Sequence, residues 1–176
     1  FVLALRMDLV DALFSSVTAS STVGFSSVNA AAGGVMSGIE SGWAPLQKSI
    51  IVVLMVVGGG FGSTAGAVKL IRTAVLIMAV YWLVKRAILP DRAVVPFKIN
   101  GKVFSENEIL YTAIFAFVYV LLLVVGSLVT MAALPEESAI NCIFDSASAQ
   151  GTVGLSTGIT GPNMPAVVKL TYIIQM

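Results

Sequence analysis

Two short stretches carry residue types able to coordinate a bare monovalent cation. Thr22-Val23-Gly24-Phe25 and Thr152-Val153-Gly154-Leu155 lie about 130 positions apart. Such an ion sheds its water only if oxygens of matching number and spacing replace it, and backbone carbonyls can form that ring. Carbonyls converge on one axis only where the chain takes conformations a side chain resists. Glycine takes them without steric cost, which fits Gly24 and Gly154. Thr22 and Thr152 offer a carbonyl and a hydroxyl oxygen each. The context repeats in register, through Phe14/Phe144, Ser16/Ser146, Ala19/Ala149, Thr22/Thr152, Val23/Val153, Gly24/Gly154 and Ser26/Ser156. A single Thr-Val-Gly would also fit a small-residue contact between membrane helices. Two copies in matched surroundings favour the ion-coordinating reading.

The elements that must hold these stretches follow from composition and order. The chain is 57% apolar and 11% charged, against about 45–50% and about 25% in soluble domains, so a membrane protein is expected. The net charge of +1 gives no case for nucleic acid. There is no histidine, which removes the commonest general base and metal ligand. Cys142, the single cysteine, excludes an intrachain disulfide or cysteine cluster and reads as a small apolar filler.

Phe1-Val2-Leu3-Ala4-Leu5 reads as the end of a spanning helix, and Ile173-Ile174-Gln175-Met176 stops within an apolar run. The chain is therefore expected to be a piece of a longer protein. Asp8 to Ser20 and Ser138 to Gln150 read as pore helices, too short to span a bilayer that takes about 20 helical residues. Ser26 to Gly42 reads as a surface loop. Pro45 suits a first helical turn and Trp43 an interface. Leu46 to Val57 and Thr73 to Val84 read as two halves of one spanning helix, interrupted at Gly58-Gly59-Gly60-Phe61-Gly62-Ser63-Thr64-Ala65-Gly66. Glycine costs about 1 kcal/mol per helical position relative to alanine, and such interruptions mark ion pathways.

Lys85 to Asn107 carries five basic residues and should be cytoplasmic. Phe97 to Val103 suggests a hairpin turning at Asn100-Gly101. Glu108 to Ala133 is long enough to span, with an external exit at Leu134-Pro135-Glu136-Glu137. Gly161-Pro162-Asn163-Met164-Pro165 turns the chain into a last helix. The expected fold is an all-α membrane protein of helix–pore-loop–helix units, one over 1–104 with the connector and one over 105–176.

Three stretches resemble the Trk/Ktr/HKT superfamily of potassium uptake transporters. Gly60-Phe61-Gly62-Ser63-Thr64-Ala65-Gly66-Ala67-Val68-Lys69 is similar to its Gly-x-x-Gly-Ser-Thr-Ala-Gly-Gly-Ile-Lys signature, with Ala67 departing from the second glycine. Gly151 to Thr160 looks like the fourth-repeat filter and Thr22 to Ser26 like the third. The resemblance implies a pseudo-fourfold pore of four repeats in one subunit, here repeats three and four. It implies a potassium path and no organic cofactor. It also implies an intramembrane loop below the filter, a homodimer in the cell membrane, and a cytoplasmic ring of nucleotide-binding RCK-type regulatory subunits. Gly58, Gly59, Gly60, Gly62, Ser63 and Thr64 would form the moving part of the gate. Lys69 and Arg72 would hold it closed, or serve as plain interfacial charges.

Rival readings are weaker. The glycine stretch lacks the third glycine of a dinucleotide loop and the Gly-Lys-Ser/Thr of a Walker loop. An intramembrane serine hydrolase lacks a base. An ordinary tetrameric channel needs one pore loop per chain, and this chain has two. A sodium-permeable member of the same superfamily and a non-transporting membrane assembly domain remain as alternatives.

Overall fold

The computed structural model describes residues 9–25, 43–60, 62–88, 98–99, 102–103 and 105–176. The expected helix tail at 1–7, the loop from Ser26 to Gly42, Phe61, the middle of the connector and the Asn100-Gly101 turn lie outside them.

Six helices are described: α1 (Leu9–Ser20), α2 (Pro45–Val57), α3 (Leu70–Ile88), α4 (Glu106–Ala133), α5 (Ala139–Gln150) and α6 (Ala166–Gln175). Between α3 and α4, β1 (Lys98–Ile99) and β2 (Lys102–Val103) pair antiparallel, with Lys98 opposite Val103 and Ile99 opposite Lys102. The strands of the expected hairpin are therefore present, and the other regular elements among the described residues are helices.

Local chemistry sets the boundaries. Pro45 opens α2 at its first turn, where its missing N–H goes unneeded. The backbone N–H of Ala44 donates to Gln47 Oε1 at 2.7 Å. α4 begins two residues earlier than expected because Ser105 and Glu108 cap each other. The Glu108 N–H donates to Ser105 Oγ at 3.3 Å and the Ser105 N–H to Glu108 Oε2 at 2.9 Å, a capping box. Ser138 stands at the N-cap of α5, and its side chain makes no capping bond. Its carbonyl accepts from Asn141 and Cys142 instead.

α3 runs past both expected ends. Its last turn takes in Lys85 and Arg86, which sit favourably against the negative end of the helix dipole. The first four residues assigned to the connector therefore continue the helix. Among the described residues, one helical stretch, Asn107–Ala133, is long and apolar enough to cross a membrane. At about 1.5 Å per residue it covers about 40 Å, more than a hydrocarbon core of about 30 Å.

α5 is the centre of the packing. It contacts α4, α2 and α6, while α1 packs on α2 and α3 on α4. The core joins Ala19, Ile51, Met55, Phe144, Ala147, Val153 and Leu155. It thus lies where α1, α2 and α5 converge beneath the two repeated stretches. Around it, α3 and α4 expose large apolar side chains such as Ile77, Val80, Tyr81, Phe117 and Val124. An apolar surface of that extent belongs against lipid or another protein rather than water.

Candidate functional site

α1 and α5 end in the same way, bond for bond. The Thr22 N–H donates to Ala19 O at 3.3 Å and the Val23 N–H to Thr18 O at 3.1 Å. The Thr152 N–H donates to Ala149 O at 3.1 Å and the Val153 N–H to Ser148 O at 2.9 Å. Each pair closes a helix C-terminus by a Schellman motif, whose left-handed residue is usually glycine. Here that residue is threonine, with φ of 55° at Thr22 and 52° at Thr152. A β-branched residue with positive φ is an outlier, and such a conformation costs about 1–3 kcal/mol. The same strain at both copies marks a backbone path that both loops require.

Two positions on, the backbone turns left-handed again, with φ of 78° at Gly24 and 90° at Gly154. Neither α1 nor α5 carries a basic residue in its last turn. The partial negative charge of each helix end therefore remains uncompensated toward the loops.

The two loops meet. A Cβ added at Gly24 would overlap the Val153 carbonyl oxygen and stand 2.9 Å from its carbon and 3.4 Å from Gly154 Cα. Only glycine permits that approach of one backbone to another. A Cβ at Gly154 would meet nothing within 4 Å. The copies differ in their side chains: Val153 and Leu155 are buried, while Val23 and Phe25 are exposed. In this chain Phe144 is fully buried and its counterpart Phe14 is exposed.

The described residues of the glycine-rich interruption, 58–60 and 62–66, are non-helical as expected, as are 67–69, and the segment's glycines pack against both helix ends. The Gly59 N–H donates to Ser20 O at 2.6 Å, and a Cβ at Gly58 would come within 2.5 Å of the same oxygen. Gly66 abuts the other helix end, where a Cβ would lie 3.0 Å from Thr152 Oγ1 and 3.1 Å from Gly151 O. The segment has a fixed foot and a freer tip. Ala65, Ala67 and Val68 are buried, and the Val68 N–H donates to Val56 O at 3.0 Å. Gly60, Gly62 and Thr64 are exposed, Ser63 is half-buried, and a Cβ at Gly60 or Gly62 would meet nothing within 4 Å.

The two basic residues act differently. Lys69, left-handed at φ 71°, donates its Nζ proton to Ser63 O at 2.9 Å and so ties the tip to the foot. Arg72 lies with its guanidinium carbon 4.3 Å from the Phe115 ring centroid on α4, a cation–π contact. From the sequence, these residues are expected to hold the segment closed or to be plain interfacial charges, and each has a neighbour in the structure.

Two buried polar groups were not singled out from the sequence. Asp145, on α5, accepts from Ser156 Oγ at 2.9 Å and from the Thr157 N–H at 2.7 Å. Gln150, the last residue of α5, donates to Tyr119 O at 2.7 Å, and Gln175 Nε2 donates to Leu122 O at 3.0 Å. An acid, or an amide, inside an apolar helix was the available signal, since such groups are rarely buried without partners. Among the described residues no group of three or more His, Cys, Asp or Glu could hold a metal ion.

Comparison with known proteins gives the geometry a family. The sequence model of TrkH, a cation transport protein, matches residues 2–176. An uncharacterized cation transporter of Methanocaldococcus jannaschii is 29% identical over 171 residues, which is 97% of this chain and 34% of that protein. The crystal structure of the potassium transporter TrkH from Vibrio parahaemolyticus superposes with a TM-score of 0.75 at 24% identity, over 94% of this chain and 33% of that one. The chain thus spans about a third of the length of each. On the family match across nearly its whole length, the chain belongs to the TrkH family of cation transport proteins.

Proposed function

We propose that this chain supplies two neighbouring walls of a potassium uptake path across the cell membrane. Thr22, Val23, Gly24 and Phe25 form one wall, and Thr152, Val153, Gly154 and Leu155 the other. Backbone oxygens take the place of the ion's water, and no other cofactor takes part. Residues 1–104 and 105–176 are the third and fourth of four pore-loop repeats around a pseudo-fourfold axis. The segment from Gly58 to Thr64, with Lys69 and Arg72, is the gate on the inner side of the filter. The complete protein is a homodimer in lipid, regulated by a cytoplasmic RCK-type ring that binds nucleotide.

One observation carries the reading. Two short helices end in matching left-handed Thr-x-Gly turns, and those turns touch at Gly24 and Val153. A membrane assembly domain would need neither the strained threonines nor such an approach.

The reading is tested with the full-length protein in lipid vesicles under an imposed potassium gradient. Potassium uptake exceeding sodium uptake is expected. Equal uptake of both would favour a sodium-permeable member of the family. No cation flux from a folded, correctly inserted protein would favour the assembly domain.

A further inference from the structure

The two loops are anchored by different chemistry beyond their glycines. In the first, Thr18 Oγ1 accepts the Phe25 N–H at 2.8 Å, a neutral bond from the helix to the residue after Gly24. In the second, the work passes to a carboxylate. Asp145 is 1% exposed, and both its oxygens reach forward along the chain, Oδ2 to Ser156 Oγ and Oδ1 to the Thr157 N–H. Ser156 Oγ in turn accepts from the Gly158 N–H at 3.0 Å, and the Thr160 hydroxyl donates to it. One buried acid therefore fixes the whole turn that leaves Leu155. At the matching position of the first copy stands Ser15, which is buried and too short for that reach.

A charge with two hydrogen-bond donors in an apolar interior makes bonds roughly twice as strong as neutral ones. Leaving a buried donor unmatched costs its full desolvation. The turn that leaves Leu155 is thus held stiffly from α5. We propose that Asp145 is a positioning residue for ion discrimination, acting through Ser156 and Thr157 to fix the spacing of the Gly154 and Leu155 carbonyls. It touches no ion itself. This rests on the cation-path reading and adds to it the group that stiffens one wall.

The test uses the full-length protein in vesicles, measuring half-saturating potassium, the potassium/sodium uptake ratio and maximal rate separately. Asp145→Asn keeps the shape and turns one acceptor into a donor, so either the Ser156 hydroxyl or the Thr157 N–H loses its acceptor. Half-saturating potassium should rise, or the ratio fall, by about tenfold, the scale of one charge-assisted bond. Ser156→Ala removes the hydroxyl's bond to Asp145 and should move the same readouts in the same direction by a smaller factor. Ser15→Ala should leave them unchanged. A purely structural role would lower the amount of transporter and its maximal rate while half-saturation and ratio stay as in the wild type, and that result overturns the proposal. If Asp145→Asn fails to fold, the Ser156→Ala readouts decide alone. A wild type without flux overturns the cation-path reading, and this inference with it. A discriminating wild type matched by both variants overturns only the inference.

Discussion

Replacing Gly24 by alanine in the full-length protein should abolish potassium uptake. At Gly24 two penalties combine. The residue is left-handed, at φ 78°, and the new methyl would collide with the Val153 carbonyl. A backbone carbonyl cannot rotate aside as a side chain end can, so the loops must part, and with them the oxygens proposed to line the path. Gly154 is left-handed in the same sense, at φ 90°, so alanine there carries backbone strain of about 1–3 kcal/mol. Growth on limiting potassium and vesicle flux measure the loss at Gly24. Wild-type uptake from a folded Gly24→Ala protein would mean that the approach of the two loops has no bearing on transport.

Filling the tip of the glycine-rich segment should block flux without unfolding the protein, and untying it should do the opposite. Gly60 is exposed, and a Cβ there meets no neighbour. Gly60→Leu therefore adds an apolar bulk that the fold tolerates and that projects from the freer tip. If the tip lies in the ion's way, uptake falls by more than about tenfold, since a desolvated apolar constriction is a barrier to a cation. Lys69→Ala removes the donor that ties the tip to Ser63 O. It should raise basal flux and weaken dependence on a regulatory partner. Gly58→Ala is the contrast, because its Cβ would press within 2.5 Å of Ser20 O, and that change should destabilise the protein. Unaltered flux in folded Gly60→Leu and Lys69→Ala proteins would make the segment a structural support.

The repeat itself was legible because it is written in residue types. Glycines at 24 and 154 and the glycine run from 58 to 62 are where the structure departs from helix. The lengths of α2 and α4 followed from apolar runs and from Pro45, α5 followed from its place before the second Thr-Val-Gly stretch, and the α4 start was available in the Ser105/Glu108 spacing. What the residue types concealed is conformation that contradicts propensity. Nothing in a threonine announces φ above 50°, yet Thr22 and Thr152 share it, because the surrounding helix end imposes it. Nor does a local pattern tell that Asp145 bonds 11 and 12 residues ahead, or that Gly59 bonds Ser20, far back in the chain. Those contacts arise from the packing of α1, α2 and α5 together.

The central claim is that the Thr22–Phe25 and Thr152–Leu155 backbones line one cation path. Crystals of the full-length protein grown in rubidium, a heavy stand-in for potassium, test it by anomalous scattering. The account predicts rubidium peaks within coordination distance of carbonyl oxygens from both stretches. Ordered rubidium elsewhere in the molecule, with none between these two loops, would contradict it.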